Sequence, residues 1–270
     1  MVVQHNMQAA NANRMLGINV KAVAKNTEKL SSGYKVNRAA DDAAGLSISE
    51  KMRNQIRGIN QAVSNSEDGQ YLIQTAEGNM NEIHSILQRM GELATKAAND
   101  VNDDDDRAAI QKEINQLTSE IDSISNKAQF NGKYLLNGTD PSIKLQVGAN
   151  KGEDMEITLD EISSGTLSIT SLDMGDHDSA GDAMSKITAA VKIVSDKRSQ
   201  LGAIQNRLDY TINNLENYSE NLTSSESNIR DTDMATEMVD YSKNNILQQA
   251  AQSMLAQANQ ATQGVLNLLQ

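Results

Sequence analysis

Apolar residues recur through most of this chain at alternating intervals of four and three. Ala76, Met80, Ile83, Leu87, Met90, Ala94 and Ala97 keep that rhythm, and Met52, Ile56, Ile59 and Val63 keep it earlier in the proline-free run over 43–98. This is the a/d spacing with which helices pack side by side in coiled coils. It predicts one helix roughly 80 Å long, with Asp41 and Asp42 placed to cap its free N–H groups. A second helix follows the acidic run Asp103–Asp106, carried by Ile110, Ile114, Leu117, Ile121, Ile124 and Ala128. The aspartates suit its positive N-terminal dipole. The short loop around 99–104 makes the two helices antiparallel.

The period changes after Phe130. Asn131-Gly132, Asn137-Gly138, Asp140-Pro141 and Lys151-Gly152 are turn signals, and between them Ile143/Leu145/Val147 and Met155/Ile157/Leu159 alternate with polar residues. One or two β-hairpins against the helices are expected up to Ile169. Residues 170–183, polar and Gly-bearing, read as a surface connection that accepts an insertion after Gly175. A third long helix is expected from Met184 to Leu222, striped by Ile187, Val191, Val194, Leu201, Leu208, Leu215 and Leu222. The two ends of the chain carry matching Ala-, Asn- and Gln-rich stripes. Met7, Met15, Ile18 and Leu30 mark the first; Ile246, Met254, Leu255, Ala258, Val265, Leu266 and Leu269 mark the last, over about 229–269. Either the two ends pair within one chain, or they pair only when neighbouring chains cover them, because two thin helices bury little alone.

Composition narrows the function. The 270 residues carry 24 Lys and Arg against 36 Asp and Glu, a net charge of −12. So acidic a chain lacks the positive surface that nucleic acid or anionic lipid demands. There is no cysteine, and so neither disulfide nor thiolate chemistry; aromatics are 3%, with no tryptophan. A single proline agrees with long helices. The start, Met1-Val-Val-Gln-His5, does not read as a signal peptide, and no run approaches the ~18 apolar residues of a membrane span.

Candidate chemistry is sparse. His5, His84 and His177 fall on separate elements with no HExxH spacing, and Asp103–Asp106 lack the ligand alternation and glycine of a calcium loop. No phosphate loop or nucleophile elbow occurs. Sequon patterns at Asn137, Asn217 and Asn221 carry little weight alone. No catalytic, metal or cofactor site is expected.

A specific string appears at Leu30-Ser-Ser-Gly33 and Asn37-Arg-Ala-Ala-Asp-Asp-Ala-Ala-Gly-Leu46. It resembles the N-terminal signature of bacterial flagellin. The likeness continues in order through Gln74–Gly78, Leu87–Arg89, Ile110–Ile114, Glu120–Asp122, Phe130–Gly132, Gln146–Asn150, Leu201–Leu208, Ile246–Ala250, Met254–Asn259 and Val265–Leu269. The resemblance implies a mainly α fold: a long antiparallel coiled-coil-like helical rod with a small β-hairpin region and paired terminal helices. It implies that 1–42 and 228–270 form an inner filament core domain, with 43–169 and 184–227 as the N- and C-terminal rod regions. Residues 170–183 would be a short remnant of the variable region, since large outer domains are missing.

It further implies a structural, non-enzymatic subunit that polymerises into the extracellular flagellar filament after export through the type III apparatus. The implied partners are copies of itself, an export chaperone, the filament cap and hook-junction proteins, and the vertebrate flagellin receptor, Toll-like receptor 5. The alternative is a hook–filament junction protein, which shares flagellin-like ends. The terminal stripes named above are the expected assembly surface. The resemblance places receptor contacts at Gln88, Arg89, Glu92, Leu93, Lys96 and Glu113, with Arg89 and Leu93 expected as a charge beside an apolar knob. Gly91 departs from the family, which often has Arg there.

Overall fold

The computed structural model describes residues 6–268, with side chains through Ala261. Among them the fold is mainly α, as the periodicity predicts. Five helices are α1 (Met7–Ser32), α2 (Ala43–Ala97), α3 (Asp104–Lys127), α4 (His177–Arg230) and α5 (Met234–Leu268). Two small antiparallel pairs join β1 (Gln129–Phe130) to β2 (Lys133–Tyr134) and β3 (Ser142–Gln146) to β4 (Asp154–Thr158). The chain divides into two compact units, one from the described parts of Met1–Asn54 and Asn221–Gln270, the other Gln55–Glu220.

In the second unit the a/d seam of α2 is the core. Ile73, Met80, Ile83, Leu87 and Met90 are fully buried in one cluster with Ile114 and Ile121 of α3 and Ala190 and Val194 of α4. Asp42 caps α2 by accepting from the Gly45 N–H at 2.9 Å, and Asp103 does the same for α3 at the Asp104 N–H. The larger hairpin pairs Ile143 with Ile157 and Leu145 with Met155, and its inward residues join the same cluster.

Glycines on α2 seat that hairpin. A Cβ at Gly58 would lie 2.9 Å from the Ala149 methyl and 3.4 Å from its Cα, and one at Gly69 would overlap Leu145. Between them Asn65 Nδ2 donates to the Gln146 carbonyl at 3.1 Å. At Gly78 on the same helix nothing stands within 4 Å. Opposite signs are therefore expected from two substitutions. Gly58→Val will cost about 1–3 kcal/mol by forcing the Ala149 backbone away, while Gly78→Ala will gain up to about 1 kcal/mol of helix propensity. Urea midpoints measured side by side check both.

Two expectations need correction. Residues 170–183 are not a plain surface connection: Leu172 and Met174 are buried and His177–Ala183 are already helix. Met174 is anchored by its N–H donating to Gln111 Oε1 at 2.9 Å, and the Gly175 carbonyl accepts from Arg107 at 3.2 Å. A tag after Gly175 would fall within this anchored turn. The third helix is also longer than Met184–Leu222. Ala180 and Ala183 extend its buried seam backward, and the helix runs on to Arg230.

In the first unit α1 and α5 pair within one chain, the first of the two arrangements expected of the ends. Asn6 Nδ2 donates to the Ala258 carbonyl at 2.9 Å and Lys29 Nζ meets Glu237 Oε2 at 3.2 Å, so the helices are antiparallel. Gly33 ends α1 in the left-handed conformation, φ 76°, that closes a helix with least strain for glycine. The connectors beyond the two helix ends are laced together. Tyr34 bridges Asp231, and the Lys35 and Thr232 N–H groups donate to the Arg230 and Gly33 carbonyls. The Arg230 guanidinium lies 4.6 Å over the Tyr34 ring while bonding Glu50.

Candidate functional site

Two surfaces hold the residues singled out by sequence. The first is the α1–α5 pair. Among described residues of this unit Val36 is the sole buried hydrophobic; every other one falls between Ile59 and Leu208. Met7 is 74% exposed and Met254 63%, and Met15, Ile18 and Ile246 are exposed as well. Leu30, Leu255 and Ala258 are half-buried. The Val265 and Leu266 side chains and all of Leu269 lie outside the described residues. A groove of about 530 Å³ runs between the helices, lined by Ala12, Met15, Met254 and Ala258. What sequence reading missed is the polar lock at the opposite end of the helix pair, Lys29–Glu237 with Asn26 buried nearby on α1. The signal was thin: a lysine and a glutamate far apart in the chain.

Asp41, expected beside Asp42 as a cap of α2, instead anchors the connector that precedes that helix. Its carboxylate takes the Lys25 ammonium at 2.9 Å and the Arg38 and Asn37 N–H groups, and is held down at about 2 chiefly by the Lys25 bond. A carboxylate held this low stabilises the fold above its free value near 3.9. That contribution fades as pH falls through about 2. Acidification from pH 4 to 2 should therefore lower the protection factors of the Asn37 and Arg38 amides, each exchange rate being taken relative to the intrinsic rate at that pH. Asp41→Asn should show fast exchange there already at neutral pH.

The second surface is the Arg89 cluster, where α2 meets α3. Arg89 donates through Nε and Nη2 to Glu113 Oε1 at 3.1 and 3.0 Å, and through Nη1 to Glu92 Oε2 at 3.2 Å. Glu113, then Glu92, hold its guanidinium proton more firmly than usual. Gln88 and Lys96 are exposed alongside, and Gln88 Nε2 lies 3.1 Å from His84 Nε2. A pocket of about 370 Å³ opens between Arg89, Glu92, Lys96, Asp106 and Glu113. Leu93 corrects the expected pair: it is 4% exposed and part of the helical core, not a knob beside Arg89. The reason is its place in the α2 stripe, next to Ala94 and three residues from Met90.

Among the described residues no cluster of His, Asp and Glu can hold a metal, and no helix is long and apolar enough to cross a membrane. One surface exposes apolar side chains and the other charged ones.

Comparison with known proteins identifies relatives of the whole chain. The bacterial flagellin N-terminal helical region matches residues 3–140, and the bacterial flagellin C-terminal helical region matches 184–269. A flagellin of Halalkalibacterium halodurans is 52% identical and one of Bacillus subtilis 46%, each over the full length of both chains. The crystal structure of Bacillus cereus flagellin superposes with a TM-score of 0.51 at 32% identity, covering 56% of this chain and 88% of that one. The chain belongs to the bacterial flagellin family, whose members are structural proteins of the flagellar filament and not enzymes.

Proposed function

We propose that this chain polymerises into the extracellular filament through its terminal helices, with α1 and α5 forming the inner core. The observation that carries this reading is the contrast between the two units. One has a closed core of its own; the other leaves Met7, Met15, Ile18, Ile246 and Met254 in water with Val36 as its only described buried hydrophobic. Exposed apolar stripes of that extent are stable in a soluble chain only when something covers them. Identical neighbours do so by repetition. Delivery through the flagellar type III apparatus fits, with a chaperone holding the α5 stripe and a cap at the growing tip. On this reading residues 1–42 and 228–270 are the inner part and 43–169 with 184–227 the part outside it.

The test is elongation of flagellar filament seeds by purified chain, followed by electron microscopy. Open-ended growth is expected. A hook–filament junction protein would add a short segment and stop, and no growth at all would defeat the reading. The same reading extends to recognition of the monomer by Toll-like receptor 5 at Gln88, Arg89, Glu92, Lys96 and Glu113, which form a preassembled charged patch.

A further inference from the structure

With no cysteine in the chain to react first, methionine is the side chain most open to two-electron oxidation. The fold divides the 12 methionines sharply. Among the described residues the exposed ones, Met7, Met15, Met234, Met238 and Met254, all stand on α1 or α5. Within the Gln55–Glu220 unit Met80, Met90, Met155 and Met174 are buried. Met52 and Met184 are half-buried. A dissolved oxidant reaches a sulfur through solvent, so the terminal helices are open to it and the core is shielded.

Met15 of α1 and Met254 of α5 line one groove together with Ala12, Ala251 and Ala258. The alanines offer a methyl each, so the two thioethers are the largest apolar groups in that lining. Met7 opens α1, and the Asn6 that caps this helix bonds the Ala258 carbonyl beside the groove. A thioether is flexible, polarizable and a weak acceptor, suited to filling an irregular apolar contact. A sulfoxide is polar and chiral. Buried without a hydrogen-bond partner, its oxygen carries a desolvation cost that the thioether does not.

We propose that Met7, Met15 and Met254 form an oxidation switch: in the unassembled chain a peroxide converts them to sulfoxides, which bar the chain from the filament until they are reduced. The switch presupposes the filament reading, in which the surface a sulfoxide would meet is the apolar stripe of a neighbour. With hydrogen peroxide the sulfur lone pair attacks one peroxide oxygen, and the S–O bond forms as the O–O bond breaks. The proton on the transferred oxygen passes to the departing hydroxide, which leaves as water. Sulfur gives up two electrons and the peroxide takes them. The monomer keeps its fold, because Met15 is 45% exposed and Met254 63%, and a sulfoxide there stays in water. Sulfoxide reductases, one for each epimer, return the thioether.

The test treats purified monomer with hydrogen peroxide and locates the added oxygens by peptide mass mapping. Met7, Met15 and Met254 should be converted several times faster than Met80, Met90 and Met174. The oxidised chain should keep its circular dichroism spectrum and elongate filament seeds only at a critical concentration raised about tenfold or more, the equivalent of about 1.4 kcal/mol. Treatment with the two sulfoxide reductases should restore elongation. A Met7→Leu/Met15→Leu/Met254→Leu chain, compared with itself before and after peroxide, should lose the response, and a Met234→Leu/Met238→Leu chain should keep it. The reductase step uses the wild-type chain alone, and so decides even where the triple variant assembles poorly. Elongation by oxidised wild type at the untreated concentration, no recovery on reduction, or conversion of Met80 and Met90 as fast as Met254 would overturn the switch. So would an undiminished response in the triple variant or its loss in the Met234→Leu/Met238→Leu chain. Failure of the untreated wild-type chain to elongate seeds strikes the filament reading itself, and that result precedes any oxidation.

Discussion

A chain ended before Ala250 will stay soluble and helical but form no filaments. The segment 250–270 carries Met254, Leu255, Ala258 and the apolar residues that follow, and its loss also uncovers Ala12 and Met15 across the groove on α1. The core between Ile59 and Leu208 draws nothing from it, so the second unit should keep its fold. In a polymer each Met or Leu taken out of water is worth roughly 1.5–3 kcal/mol. That is enough, summed over a few residues per subunit, to decide between assembly and none. Because a truncation also removes helix, Met254→Asp makes the sharper probe. The Met254 side chain is 63% exposed, so the substitution should leave monomer circular dichroism and thermal midpoint unchanged. In the filament it would bury an unpaired charge. Sedimentation should then find the variant in the supernatant at concentrations where wild type pellets, and normal pelleting would refute the assembly role of this stripe.

Legibility in the sequence followed periodicity. The α2 and α3 stripes are nearly uninterrupted a/d seams, and both helices end within a residue or two of where the seams do. In α4 the seam was there but thin at its ends. Leu201, Leu208, Leu215, Leu222 and Ile229 recur every seven residues, and Ala180 and Ala183 extend the stripe backward. Alanines among Asp, Ser and Gly are weak markers of a buried face, and so the helix start was read too late. Leu167, Ile169, Leu172 and Met174 were illegible for another reason. Their spacings of two, three and two fit neither helix nor strand. They are buried because a nonrepetitive segment is laid on the helices and tied down by bonds such as Gln111 to Met174. Pairings across long separations in the chain, Lys29 with Glu237 or Arg89 with Glu113, have no local signature at all. The Arg89 patch was found only through the family motif, and the motif did not show that Leu93 lines that pocket from the core instead of standing out as a knob, because a string of letters does not say which side of a helix faces in.

Reversing the charge at Arg89 should weaken binding of the soluble receptor to the monomer at least tenfold. Arg89 is the centre of its patch, bonded to both Glu113 and Glu92 yet half exposed. Exposed ion pairs add little to stability, so Arg89→Asp should leave the thermal midpoint nearly unchanged while placing three acids together. Arginine's planar fork, here presented by two carboxylates, is a common anchor at interfaces. Leu93 should behave in the opposite way. At 4% exposure in the helical core, Leu93→Ala should cost about 2–5 kcal/mol of stability, and any loss of binding should track unfolding rather than a lost contact. Gly91 adds nothing to the patch beyond backbone, so Gly91→Arg, whose Cβ would meet only the Ile187 methyl at 3.8 Å, should fold and strengthen binding if the patch is the docking site. Surface plasmon resonance with purified receptor, run beside thermal melts of the same samples, separates the three variants. Equal affinity for wild type and Arg89→Asp would move the receptor site elsewhere on the chain.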